Sequence, residues 1–186
     1  GFADANDWFC CGYAMEEDGD ATVTETAMHE GCHLFFGVSV DYTTPSWYSE
    51  GMATGFENYR WDGTTGKLTV DPLALHYATH ARSDAAARRA LPLADLLEGD
   101  AHTANNTSQS AAEVFYSEAW ALYYYLRHSG APEVDQVRKK LDALLGSGAY
   151  RGQSGESAEV FRRAAGDVAS FEKGFFEFVL KLPTGP

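Results

Sequence analysis

Apolar residues recur along most of this chain at intervals of three and four, the spacing that gathers them on one side of a helix. Residues 22–36 carry Val23, Ala27, Met28, Leu34 and Phe35 around such a helix, the pattern of one buried in a core. Pro45-Ser46 opens a second helix with Trp47, Met52, Ala53 and Phe56 on its inward side. A short apolar helix is expected at 91–97, then a long one over 111–128 with Phe115, Tyr116, Ala119, Trp120, Tyr123 and Leu126 in its stripe. Val134, Val137, Leu141, Leu144 and Leu145 predict a helix from Pro132 to Leu145. Two more follow at about 157–165 and 168–181, the last with Phe171, Phe175, Phe178 and Val179 inward.

Extended structure is confined to two places. Residues 7–15, aromatic and small, lead into the turn-forming run Glu16–Asp20 and read as a strand and a turn. Residues 58–71, with Trp61-Asp-Gly-Thr-Thr-Gly-Lys67 at their centre, suit a short hairpin whose exposure would make it a lid. The stretches 37–44, 99–109 and 146–155 lack periodicity and are expected as loops, with 183–186 as a tail. The predicted class is therefore α+β, mostly α, in one domain over 1–186. It has a strand and turn region at 1–20, a helix pair within 21–60 and a helical part at 84–182.

The first helix carries His29-Glu30-Gly-Cys-His33, a match to H-E-x-x-H. Residues four apart share a helix face, so the two imidazoles can converge on one ion, while Glu30 is offset and can address a water on it. Zinc suits this set, because two neutral imidazoles leave the cation positive enough to bring the pKa of a bound water down to about 7. The alternative, a core helix with two hydrogen-bonded histidines, leaves Glu30 without a role. Catalytic zinc takes three protein ligands, and Glu50 in Pro45-Ser-Trp-Tyr-Ser-Glu-Gly-Met-Ala53 supplies the third: it falls among inward apolar residues, where a carboxylate needs a partner. His76 and His80, with Asp84 four further on, repeat the spacing but lack an adjacent glutamate, and read as ordinary histidines.

At 186 residues the chain is long enough to bury about two-thirds of its unfolded surface. A net charge of −13 excludes nucleic acid and anionic membrane as partners, since both repel such a surface, and favours cationic ligands. No apolar run reaches the length of a membrane span. Cys10, Cys11 and Cys32 are odd in number, with the first two adjacent, so a disulfide scaffold is not expected; Cys32 sits off the ligand face and reads as packing. The opening Gly1-Phe2, without methionine, suggests a mature or excised domain that has lost any targeting segment, which leaves the compartment open, with a lean to an exported or cell-envelope location. Asn105 and Asn106 each begin an N-x-S/T pattern, which matters only in a glycosylating host.

H-E-x-x-H, a short connection, then P-x-W-x-x-E-G-x-A resembles the gluzincins, the metallopeptidase clan whose third ligand is a glutamate on the next helix. A branch of uncharacterised peptidase-like domains is similar further along, with a helix of the type seen here as Tyr116-Ser-Glu-Ala-Trp-Ala-Leu-Tyr-Tyr-Tyr-Leu126. The resemblance spans at least residues 22–126. It implies a zincin-like catalytic domain that binds Zn2+ through His29, His33 and Glu50 and hydrolyses peptide or protein substrates with Glu30 as general base. It also implies a tyrosine that stabilises the oxyanion, Tyr116 first and Tyr123 second. An upstream strand would hold extended substrate at its edge, for which 7–15 is the candidate. Where well-studied gluzincins often carry a histidine-orienting acid four residues past the glutamate ligand, this chain has Thr54. Two other readings remain: a non-catalytic domain that keeps the zinc site for structure, and a zinc amidase acting on a non-peptide bond.

Overall fold

In the computed structural model the described residues are 2–4, 9–11 and 20–185. They are mostly helical with small two-stranded sheets, an α+β chain of mainly α type. Two compact units emerge, residues 1–41 with 52–74 and residues 42–51 with 75–186.

In the first unit, β1 (Phe2–Asp4) and β2 (Phe9–Cys11) form an antiparallel pair with Phe2 opposite Cys11, and α1 (Asp20–Ser39) contacts both. The predicted strand at 7–15 is seen at 9–11, where both strands of so small a sheet are edges; the turn expected over 16–19 lies outside the described residues. α2 (Ser46–Glu57) runs unbroken through both units, its second half belonging here. It leads into β3 (Tyr59–Asp62) and β4 (Lys67–Val70), the expected hairpin. Its turn is made by Asp62, whose carboxylate accepts the Thr64 and Thr65 N–H groups and the Thr65 hydroxyl, and by Gly66 at φ +65°, where a side chain would be strained. Those hydrogen bonds, the Thr65 hydroxyl first, hold the Asp62 carboxyl below its ordinary pKa.

The expectation that apolar residues bury α1 all round is not met. Phe35 is 71% exposed, and Val23 and Ala27 are exposed as well; His29 and Cys32, on one side, are buried. Phe56, expected to face inward on α2, is also exposed. The apolar pattern marks which positions can be buried, but a helix buries only the side that a neighbouring element covers.

The second unit is built on α6 (Gln109–His128). Ahead of it come α3 (Leu75–Ala87), α4 (Leu93–Glu98) and α5 (Ala101–Thr107), and after it α7 (Pro132–Gly146), α8 (Glu156–Ala165) and α9 (Val168–Val179). α6 packs against α3, α4, α5, α7 and α9 and buries Phe115, Ala119, Trp120, Leu122 and Leu126. Its start is fixed by Ser108, whose hydroxyl accepts from Ala111 N–H. Residues 99–109 hold helix α5 where a loop was expected: Asp100 caps it by accepting from Thr103 N–H, and packing on α6 overrides the weak helix preference of its Asn and Thr residues. The loop at 146–155 and the helices around it lie where the pattern placed them. Among the described residues no helix is long and apolar enough to cross a membrane.

Glu118 lies inside this core, 1% exposed, and both carboxylate oxygens face the Leu91 N–H at 3.0 Å. Burial pushes its pKa up to about 8, with the Asp84 charge adding to the rise and the Leu91 bond opposing it. In the unfolded chain the same carboxyl ionises near its ordinary value of 4.5. The unfolded state therefore releases this proton first, so the stability contributed by the neutral carboxyl is complete below about pH 4.5 and lost as pH rises through about 8. Urea unfolding of wild type and Glu118→Gln across that window should show the variant gaining on wild type, by on the order of 4 kcal/mol. A difference independent of pH would contradict this.

Candidate metal centre

α1 places His29 and His33 one turn apart on the same side, with ring centroids 4.8 Å apart and planes at 69°. Their Nε2 atoms stand 3.0 Å from each other. Two nitrogens bound to one tetrahedral zinc stand about 3.3 Å apart, so this spacing is close to that of a shared ion. α2 contributes Glu50, and one ligand atom from each of the three residues lies within 4.8 Å of the others. Among the described residues this is the group of three whose His, Cys, Asp or Glu atoms converge. The His76 and His80 rings lie 4.5 Å apart with planes tilted at 52°, but Asp84 is engaged by Arg89 at 2.6 Å and no third donor among the described residues joins them. Cys32 is buried and lies outside the converging group.

Glu50 is delivered by the packing of α2, and the residues around it explain the motif they belong to. Trp47 is fully buried, donates its indole N–H to Ser157 Oγ at 3.1 Å and meets Phe161 edge to face. Gly51 is where α2 touches α6: a Cβ there would overlap the Ala119 carbonyl oxygen and stand 2.8 Å from Tyr123 Cβ. Only glycine permits this approach. Ala53 is also fully buried. Tyr48, one turn before Gly51, donates its hydroxyl to Asp142 (2.9 Å) and accepts from Arg127 (2.8 Å), whose guanidinium lies 4.6 Å from the Tyr123 ring centroid. Burial holds the Tyr48 phenol well above its ordinary pKa, so it stays a donor.

The acid missing at position 54 is supplied one turn later. Glu57 Oε1 stands 2.6 Å from His29 Nδ1, with both side chains largely buried. An ionised carboxylate only accepts, so Nδ1 carries the proton and Nε2, on the converging side, keeps its lone pair. Carboxylate partners of this kind fix ring orientation and tautomer in metal sites. Glu57 lies seven residues beyond Glu50, two helical turns and hence the same side of α2. Helical periodicity puts Glu57 on the Glu50 side of α2, but the sequence does not say that this side meets His29. Thr54 comes between the two glutamates along α2, fully buried, and among the described residues its hydroxyl has no hydrogen-bond partner. The donor set, two imidazoles and one carboxylate, leaves a fourth position open for tetrahedral coordination.

The remaining expected residues divide. Glu30 is half-buried and offset from His29 by about 100° around α1. Tyr116 stands on α6 facing α5, its hydroxyl accepting from Asn105 Nδ2 at 3.2 Å and its ring edge-on to Phe115. Tyr123 is the tyrosine whose Cβ meets α2 at the residue after Glu50, with its ring edge-on to Tyr48 at 5.4 Å.

Two substitutions test this geometry. Glu57→Gln should weaken metal binding about 10- to 100-fold in a competitive chelator titration, by freeing the His29 ring. Gly51→Ala should lower stability by about 1–3 kcal/mol and weaken metal binding too, as α2 is pushed off α6. Unchanged affinity in both would mean that neither contact positions a ligand.

No curated protein and no solved structure matches the chain. A family match covers residues 21–142, more than half its length, from the start of α1 through α6 and most of α7. The match takes in His29, His33, Glu50, Gly51 and Glu57, and the chain belongs to the family described as "Protein of unknown function (DUF1570)".

Proposed function

We propose that this chain is a zinc-dependent peptidase with a gluzincin-type site on a zincin-like fold. The observation that carries the reading is the convergence of His29, His33 and Glu50, with Glu30 intact beside the first histidine. A ligand-only site needs the first three residues and has no use for the fourth. The His29–Glu57 hydrogen bond adds support, because it leaves His29 Nε2 unprotonated on the side where His33 Nε2 lies.

His29, His33 and Glu50 hold the ion, and their two neutral imidazoles and one carboxylate suit zinc. The bound ion supplies Lewis acidity towards a scissile carbonyl and acidifies a water molecule. With an ion held there, Glu30 would accept the proton of an attacking water and deliver it to the leaving amine, so one carboxylate would serve as base and then as acid. Glu57 keeps the His29 Nδ1 proton in place throughout. A tyrosine hydroxyl, from Tyr116 or Tyr123, donates to the developing oxyanion. The other two readings, a zinc site kept for structure and a zinc amidase, would share the ligands; the first makes no use of Glu30, and the second differs only in the bond cleaved.

Metal analysis of purified protein should find about one zinc per chain, lost in His29→Ala and in His33→Ala. Glu30→Gln should retain the metal and fail to cleave a broad peptide library. Phenylalanine at whichever tyrosine donates, 116 or 123, should cut kcat by roughly 10- to 1000-fold with little change in KM. Undiminished turnover in Glu30→Gln removes the general base and the peptidase reading with it.

A further inference from the structure

The connection from α3 to α4 contains a turn that its sequence does not favour. Arg89 N–H donates to the Asp84 carbonyl at 2.8 Å and Arg88 N–H to the Ala85 carbonyl at 3.2 Å, the pair of bonds that ends a helix through one left-handed residue. That residue is Arg88, at φ +57°, where glycine is the usual choice; among the described residues no other non-glycine has a positive φ. The turn sends the two adjacent arginines to different neighbours. Arg89 folds back and donates to Asp84 at 3.0 and 2.6 Å. The Arg88 side chain makes no hydrogen bond or ion pair among the described residues and lines a cavity of about 460 Å3.

This cavity lies within the second unit, between the 88–92 connection and α9, and its volume is in the range of small-molecule sites, roughly 300–1,000 Å3. Pro92, Phe176 and Leu180 give it apolar walls, and Arg88 and Lys173 give it cations from two different elements. The walls are tied together by Glu172, which accepts the Leu93 N–H at 2.6 Å and so commits the carboxylate of the lining to the start of α4. Lys173 keeps its charge available, because Glu177 is 4.0 Å away and both side chains are exposed. Ala169, Lys173, Phe176 and Leu180 recur at intervals of three and four on one side of α9, opposite the side on which Phe171, Phe175 and Val179 are buried. Leu180 is left 43% exposed.

We propose that this cavity binds a medium-chain carboxylate, its tail against Pro92, Phe176 and Leu180 and its head between Arg88 and Lys173. The inference stands apart from the peptidase reading and does not depend on it. The left-handed turn then has a use, since glycine at position 88 would relax the backbone and remove the guanidinium. A chain of net charge −13 repels anions at long range, so an anion held here owes its affinity to these local contacts. A neutral alcohol of the same length keeps the tail contacts and loses those of the head, and an amine meets repulsion from both cations.

Calorimetric titration with octanoate tests this, with hexanoate, octanol and octylamine as comparisons. Wild type is titrated beside Arg88→Gly, Lys173→Gln and, as a charge-matched control on α7, Lys140→Gln. Wild type should bind octanoate saturably at one site, and hexanoate, two methylenes shorter, roughly tenfold more weakly. Octanol and octylamine should each bind about tenfold or more below octanoate. Arg88→Gly should weaken octanoate binding about tenfold or more while the fold keeps its thermal stability, since glycine suits φ +57°. Lys173→Gln should weaken it about threefold or more, and Lys140→Gln should leave it unchanged. Full affinity in Arg88→Gly overturns the inference. So does wild type that shows no saturable binding, octylamine that binds as tightly as octanoate, or an equal loss in the control.

Discussion

The hydrogen bond between His29 Nδ1 and Glu57, 2.6 Å long, sets the direction of the one imidazole on which the candidate centre turns. A histidine on an exposed helix samples several ring orientations and two tautomers. Pairing with a carboxylate selects one of each, and the lone pair of Nε2 is then fixed on the side where His33 Nε2 stands 3.0 Å away. Without that pairing α1 would still carry two histidines at the right spacing, but with no preferred meeting point.

α2 carries both glutamates of the candidate centre. Its first half is held in the helical unit by the buried Trp47, by the Tyr48–Asp142–Arg127 hydrogen bonds and by the close approach of Gly51 to Ala119. Its second half offers Glu57 to α1. Because the helix is continuous, Glu50, Thr54 and Glu57 follow one another along one side at the rise of an α-helix. α2 thus carries Glu50, a member of the converging group, and Glu57, the partner of His29. The conjunction of Trp, Glu, Gly and Ala in its sequence then has a physical meaning: three of the four are packing residues that aim the fourth.

How much of this could be read beforehand varies by residue. His29 and His33 were legible because helical spacing alone puts them on one face, and Glu50 because a carboxylate amid inward apolar residues calls for a partner. The hairpin at 59–70 and helices α4, α6, α7, α8 and α9 followed from turn chemistry and periodicity. Glu57 was not found, since its role depends on the angle at which α2 meets α1, which no local pattern encodes. The exposure of Phe35 and Phe56 escaped for a related reason: apolar spacing says which residues can be buried, and only tertiary contacts say which are. Helix α5 was hidden by residues that favour turns in isolation and fold as a helix against α6.

The central claim is that His29, His33 and Glu50 share one ion, and X-ray absorption at the zinc edge of the zinc-loaded protein measures that directly. The account predicts a first shell of nitrogen and oxygen at about 2.0–2.2 Å with outer scattering from two imidazoles. In His33→Ala, which loses the metal, this protein-bound zinc signal should disappear. A sulfur shell at about 2.3 Å, which would put Cys32 on the metal, or a spectrum unchanged when His33 is removed, would contradict it.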